Sequence, residues 1–72
     1  MKELNSIFCD VLELKEDQLD DNVSIKNLAA WDSIRQMQLI VDIEAKFNLE
    51  LSFEEIAEMT SIGNIRRLMA SK

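Results

Sequence analysis

The chain of 72 residues has a formal net charge of −6 and contains one cysteine, one glycine and neither proline nor histidine. A domain of this size buries only about 60% of the surface that its unfolded chain exposes, which leaves little room for an enzymatic cleft. The acidic balance argues against binding to nucleic acid or to an anionic membrane. Because histidine is absent, Ser–His and Cys–His nucleophile pairs and zinc sites built from Cys and His are excluded, and we expect neither catalysis nor a metal site.

The composition also predicts the class of fold and the setting of the protein. Leu, Ile, Glu, Ala and Met are plentiful, which favours helices over a turn-rich β-sandwich. No apolar run approaches the roughly 20 residues that span a membrane, and a lone cysteine forms no internal disulfide. With no secretion signal visible and a helical pattern close to Met1, we expect a complete, monomeric, cytoplasmic protein with a single domain over residues 1–72.

Residues 3–14 are predicted to form the first helix. Apolar positions recur at the spacing of one buried helical face, with polar residues between them. These apolar positions are Leu4, Ile7, Phe8, Val11 and Leu12. Cys9 lies at the flank of this face, and we interpret it as a partly or wholly buried structural thiol.

A long connection, residues 15–31, follows without a strong periodicity, although a short turn of helix fits within it. Connections between the helices of a bundle usually have only a few residues, so this one must be held against the core. The isolated apolar residues predicted to hold it are Leu19, Val23, Ile25 and Leu28. Asp20-Asp21-Asn22 looks like part of a calcium loop, but the required spacing and glycine are absent, so we predict no calcium site.

Residues 33–47 are predicted to form the second helix, and Ser33-x-x-Gln36 fits the capping-box pattern at its start. Apolar side chains cover about half of its circumference, which is wider than a simple core stripe. They are Ile34, Met37, Leu39, Ile40, Val41, Ile43 and Phe47. Two explanations fit: either the helix is central and buried on most sides, or the edge from Ile34 to Val41 is exposed for a partner.

The polar residues of this helix distinguish its two edges. Gln38 and Ala45 continue the edge from Ile34 to Val41 as a nearly uncharged stripe. The opposite edge is expected to meet water and holds Arg35, Asp42 and Lys46.

Two shorter helices complete the predicted secondary structure, at residues 53–59 and 61–70. The buried side of the last helix is predicted to consist of Ile62, Ile65, Leu68 and Met69.

The order of these elements and the motifs within them resemble those of a known family. Asp32-Ser33-Ile34 follows Trp31 and opens the second helix, after an amphipathic helix and a long loop. Downstream and in register come Ile-Glu-Ala-Lys-Phe at 43–47 and Thr-Ser-Ile-Gly-Asn-Ile at 60–65. Over essentially its whole length the chain resembles the acyl carrier protein family, and this combined pattern is much more specific than the tripeptide alone.

The resemblance implies an all-α fold, a small four-helix bundle with a long first loop and a short third helix. It implies that Oγ of Ser33 receives 4′-phosphopantetheine from coenzyme A through a separate magnesium-dependent phosphopantetheinyl transferase. The thiol of this arm would then hold acyl groups as thioesters, and Asp32 would help to position or activate the attachment site. From the residues alone, Ser33 would be interpreted as an ordinary helix N-cap.

Several positions depart from the family pattern or match its contact positions. Ile34, in place of the usual leucine, and Val41 match family positions that contact the transferase and client enzymes. Arg35, Gln38 and Ala45 stand where carriers of fatty acid synthesis typically have acidic residues. We therefore predict a specialised carrier, in a pathway of fatty-acid or polyketide type, with its own loading ligase or acyltransferase. The residues predicted to contact partners are Ile34, Arg35, Gln38 and Val41.

The resemblance also implies that the acyl chain is sheltered between the second helix and the later ones. Candidate lining residues are Met37, Ile40, Phe47, Ile56, Met59 and Ile62. Core packing is the alternative explanation for each of them, and the two roles are compatible.

Alternatives remain within and outside the family. Aminoacyl or peptidyl carriers, including D-alanyl carriers, more often have glycines before the serine, where this chain has Ala29 and Ala30. An unmodified helical interaction module is the alternative from a different functional class.

Overall fold

The computed structural model describes residues 2–72, and this part of the chain contains four α-helices. Their bounds are Lys2–Leu12 for α1, Ser33–Phe47 for α2, Phe53–Glu58 for α3 and Ile62–Ala70 for α4. The predicted all-α fold with a long first loop and a short third helix is therefore confirmed, as are both ends of α2. A single 3-10 turn, Glu16–Gln18, lies in the long connection.

The remaining helix ends differ slightly from the predicted ones, for local reasons. The first helix stops at Leu12 because Glu13 adopts a left-handed conformation with φ 57°. α2 ends in the same manner, with Asn48 at φ 53° as its C-cap. α4 begins one residue later than predicted, because the Ser61 side chain accepts a hydrogen bond from the backbone N–H of Asn64 and so acts as the N-cap.

One hydrophobic core joins the helices. The predicted face of α1 is buried in full, and α2 contributes the sector around Leu39 and Ile43. Trp31 enters this core from the end of the long connection, and Met59 enters it from the short connection between α3 and α4. The buried members are Leu4, Ile7, Phe8, Val11, Leu12, Trp31, Leu39, Ile40, Ile43, Leu51, Met59, Ile62, Ile65 and Met69. Leu68 packs against them only in part.

The long connection is held to the core partly by side chains and partly by its backbone. Leu19, Val23 and Leu28 pack against the core as predicted. Ile25 does not, since its side chain is 39% exposed. Its backbone N–H instead donates to the carbonyl of Thr60 over 3.0 Å.

Backbone hydrogen bonds fasten this connection to the start of α4. The N–H of Ile62 donates to the carbonyl of Val23 over 2.9 Å, and the N–H of Gly63 donates to the carbonyl of Asp21 over 3.1 Å. Gly63 is closely packed, because a Cβ there would lie 3.0 Å from both the carbonyl oxygen and Cβ of Asp21, closer than side chains normally approach.

We expect Gly63→Ala to lower the free energy of unfolding by about 1 kcal/mol. Alanine would gain up to about 1 kcal/mol of helix propensity, but overpacking of this kind typically costs about 1–3 kcal/mol. The carbonyl of Asp21 cannot retreat without losing its hydrogen bond to Gly63. Urea denaturation followed by circular dichroism measures the change.

Ala45→Gly, at an exposed position of α2, is the matched control. This variant replaces alanine by glycine where no close contact with Asp21 is involved. Its free energy of unfolding should fall by about 1 kcal/mol through helix propensity alone. A Gly63→Ala protein that is more stable than the parent would contradict the steric explanation.

Candidate functional site

Asp32, not Ser33, is the N-cap of α2. Its backbone is extended, with φ −101° and ψ −173°, and its Oδ1 accepts a hydrogen bond of 2.9 Å from the N–H of Arg35. The predicted capping box between Ser33 and Gln36 is therefore wrong. Aspartate and serine are about equally good caps, so the choice depends on where the chain turns into the helix rather than on the residue types.

Ser33 is consequently the first residue of α2, and its side chain is exposed. Within residues 2–72 its hydroxyl takes part in no hydrogen bond, so the oxygen is open to another molecule. The N–H groups of Ser33 and Ile34 belong to the first turn, where a helix has no internal acceptors. These donors and the positive end of the helix dipole suit an anionic phosphodiester on the Ser33 oxygen.

Gln36 connects three parts of the structure beneath this helix start. The indole of Trp31, only 2% exposed, donates from Nε1 to Oε1 of Gln36 over 2.7 Å. The Nε2 of Gln36 then donates to the carbonyl of Met59 over 3.0 Å. Trp31 thus anchors the end of the long connection in the core. Sequence reasoning missed Gln36, although a buried tryptophan normally requires an acceptor nearby.

Arg35 is turned inward, toward the end of α1. Its guanidinium donates to the carbonyl of Val11, and its Nη2 lies 2.8 Å from Oε2 of Glu13. The last carbonyls of a helix lack internal donors, so Arg35 satisfies one of them. The expectation that Arg35 simply meets water is wrong: its side chain is 35% exposed, and its charge is paired within the chain.

The edge of α2 from Ile34 to Val41 is exposed. Ile34, Met37 and Val41 are 77%, 63% and 53% exposed, respectively. Gln38 is exposed beside them and donates to Oδ1 of Asp42 over 2.7 Å. Asp42 is itself only half-buried rather than fully in water. Of the two explanations for the wide apolar face, the exposed edge is the one that the structure supports.

The candidate residues for sheltering an acyl chain fall into two groups. Ile40, Met59 and Ile62 are buried, while Phe47 and Ile56 are partly buried and pack against the core. Met37 lies on the surface, so its assignment to an interior lining is wrong. The remaining five are packed core residues in this structure.

Cys9 is partly buried, in agreement with its interpretation as a structural thiol. Burial, followed by the negative charges of Glu16 and Asp10, raises the pKa of this thiol above its usual value. The thiol therefore stays protonated near neutral pH and is a poor nucleophile. No group of three potential metal ligands from His, Cys, Asp and Glu occurs among residues 2–72. In the same stretch, none of the helices has both the length and the apolar character that crossing a membrane demands.

We expect Gln36→Leu to lower the free energy of unfolding by about 2 kcal/mol. The substitution leaves the buried indole N–H of Trp31 and the carbonyl of Met59 without their partner, and each such loss costs about 1–3 kcal/mol. Because Trp31 is the only tryptophan, its fluorescence during urea denaturation reports directly on this bridge.

Gln38→Leu makes the same chemical change two residues away on the same helix. Gln38 is exposed and its amide bonds only to Asp42 among the described side chains, so this variant should unfold within about 0.5 kcal/mol of the parent. If Gln36→Leu and Gln38→Leu lowered the free energy of unfolding equally, the hydrogen bonds of Gln36 to Trp31 and Met59 would contribute nothing specific to stability.

The comparison with known families agrees with the fold and with the geometry of the helix start. Residues 2–69 match the family model described as phosphopantetheine attachment site, which leaves only the chain ends outside the match. The resemblance to carrier proteins is therefore confirmed, and the implied 4′-phosphopantetheine is the group that this domain attaches covalently. With an all-α structure in which a helix start exposes a free serine hydroxyl, the chain belongs to the phosphopantetheine attachment-site family, which includes the acyl carrier proteins.

Proposed function

We propose that this protein is an acyl carrier in which Ser33 bears the phosphopantetheine arm and the arm's thiol holds acyl groups for partner enzymes. The observation that carries the proposal is the exposed Ser33 hydroxyl at the start of α2, left free because Asp32 supplies the cap. The family match supplies the cofactor, and the position of Ser33 supplies an accessible oxygen for it.

The chemistry of attachment needs little from the carrier. Oγ of Ser33 attacks the phosphorus that bears the pantetheine of coenzyme A, an Oγ–P bond forms, and the bond to the adenosine bisphosphate leaving group breaks. The hydroxyl proton passes to a base of the transferase. A carrier without histidine can therefore take part, because the base and the metal belong to the transferase.

Once the arm is attached, the start of α2 would help to hold its phosphodiester. The first-turn N–H groups of Ser33 and Ile34 would be the available backbone donors. We assign Asp32 a second task beside capping, which is to present a negative charge next to Ser33 during attachment. A bound Mg²⁺ of the transferase is the natural partner of a carboxylate at that position.

The exposed edge of α2 is the surface that we propose for contact with the transferase and with loading enzymes. Ile34 and Val41 supply apolar area, and Gln38 supplies a neutral polar group between them. We propose that Arg35 acts here through its ion pair with Glu13, which fixes α1 against the start of α2. The nearly neutral edge supports a specialised carrier of acyl groups with its own loading enzyme.

Incubation with coenzyme A, Mg²⁺ and a broad-specificity phosphopantetheinyl transferase should add the mass of one phosphopantetheine group to the protein. Ser33→Ala should abolish the addition, as intact-mass spectrometry will show. Ser52→Ala is the control, since Ser52 is also an exposed serine at the start of a helix. Its variant should be modified like the parent. A mass increase that survives Ser33→Ala would refute the assignment of the attachment site.

Asp32→Asn separates the two tasks that we assign to Asp32. Asparagine caps helices about as well as aspartate, so the free energy of unfolding should change by less than about 0.5 kcal/mol. The rate of modification per transferase should nevertheless fall by about tenfold or more, because the charge near the metal is lost. Asp32→Ala should show the slower modification and also lose about 1 kcal/mol of stability. Parent-like modification of Asp32→Asn would leave Asp32 with its capping role alone.

A further inference from the structure

Met37 is the one methionine among the described residues 2–72 that lies on the surface. It is 63% exposed, whereas Met59 and Met69 are 1% and 7% exposed and belong to the core. Met1 lies outside the described residues. An oxidant in solution reacts with a thioether that it can reach, so of these three described sulfur atoms it is that of Met37 which is open to oxidation.

Cys9, the only thiol of the chain, competes poorly for the same oxidant. It is half-buried, and burial followed by the negative charges of Glu16 and Asp10 raises the pKa of its thiol. The thiolate is the form that peroxides oxidise, so a thiol that stays protonated near neutral pH reacts slowly. Among the described sulfur atoms, oxidation should therefore concentrate at Met37.

Met37 lies in the middle of the exposed edge of α2. Ile34 and Val41 come three residues before it and four residues after it, so both are its neighbours on the helix surface. Ser33 lies about one turn before it, roughly 6 Å away along the helix axis. An oxygen added to Met37 would thus enter the apolar surface proposed for the transferase, close to the proposed attachment residue.

We infer that Met37 is a redox-sensitive modification site: oxidation of its thioether to the sulfoxide by a peroxide slows attachment of the phosphopantetheine arm at Ser33. This inference rests on the carrier function proposed above. With hydrogen peroxide, the sulfur lone pair attacks one oxygen, an S–O bond forms and the O–O bond breaks. The second oxygen leaves as water with both hydrogens, and the sulfur loses the two electrons that the peroxide gains.

The sulfoxide changes the chemistry of the exposed edge without disturbing the core. A flexible apolar side chain becomes a polar one. If an apolar partner surface covers the new S–O group, that group loses its water and gains no hydrogen bond in return, so the contact is weakened. In the free protein the group stays in water, because Met37 is exposed and is not among the core residues. Oxidation should therefore impair recognition and leave stability unchanged.

The test follows the full chain, before its arm is attached, through oxidation and then modification. A limiting amount of hydrogen peroxide should add one oxygen atom, which peptide mapping by mass spectrometry should place at Met37 and not at Met59 or Met69. With coenzyme A, Mg²⁺ and the transferase, the oxidised chain should then be modified about tenfold more slowly than the untreated chain, with the same urea midpoint of unfolding. Methionine sulfoxide reductase should restore the rate. A thiol reductant alone should not restore it, which would exclude oxidation of Cys9 as the cause.

Three variants assign the effect to one sulfur atom. Whatever the rate of Met37→Leu is, peroxide should leave that rate unchanged. Met69→Leu, a volume-conserving change in the core, is the matched control and should slow down on oxidation as the parent does. Met37→Gln places a polar amide at the same position with a similar helix propensity. Without any peroxide it should be modified about tenfold more slowly than Met37→Leu.

The other outcomes overturn the inference. They are oxidation first at Met59 or Met69, an oxidised chain that is modified as fast as the untreated one, a loss of rate that persists in Met37→Leu, a loss that is accompanied by unfolding, or equal rates for Met37→Gln and Met37→Leu. In each of these cases the carrier function stands, provided that the untreated parent gains phosphopantetheine at Ser33. If the untreated parent gains none, the carrier function itself fails, and the inference fails with it.

Discussion

The bridge from Trp31 through Gln36 to Met59 is the contact on which the arrangement of this small protein depends. A connection of about twenty residues separates α1 from α2, and closing such a loop is entropically unfavourable unless its end is held. The indole of Trp31 fills the core, and Gln36 gives its N–H an acceptor while donating to the carbonyl of Met59. Because the bridge is satisfied at both ends, it positions the end of the loop, the first turn of α2 and the junction before α4 relative to one another.

Three residues at the start of α2, Asp32, Ser33 and Arg35, have separate roles as a result. Asp32 terminates the loop and caps the helix, and Arg35 reaches back to the end of α1. Ser33, between them, is left with no structural duty. Its hydroxyl can accept a bulky group without loss of a hydrogen bond in the described part of the chain, and the dipole of the helix favours the negative charge of that group. A group attached at this oxygen would leave the contacts that hold the helix start intact.

The sequence predicted the features that follow from periodicity and missed those that follow from geometry between segments. The bounds of α2 and the buried face of α1 were predicted from apolar spacing, which records burial directly. Met37 was misassigned because spacing gives the width of an apolar face but not the side on which neighbouring helices pack. Ile25 was misassigned because its segment is held by backbone hydrogen bonds, which leave no trace in residue type. The inward turn of Arg35 depends on where α1 ends, and that depends on the left-handed Glu13.

The bridge also relates the position of Ser33 to that of α3. Met59, whose carbonyl accepts from Gln36, follows the last residue of α3 directly, while Gln36 lies one turn after Ser33. The other end of α3 is held to α2 as well, since the N–H of Leu51 donates to Glu44 over 3.0 Å. A helix of only six residues would not be stable alone, and these two attachments give it a defined position. The start of α2, where Ser33 lies, and α3 are therefore held at a constant separation. Such a constant separation is what an enzyme requires if it is to receive a thioester from a flexible arm, because the carrier itself then adds no uncertainty to the position of the reacting carbonyl.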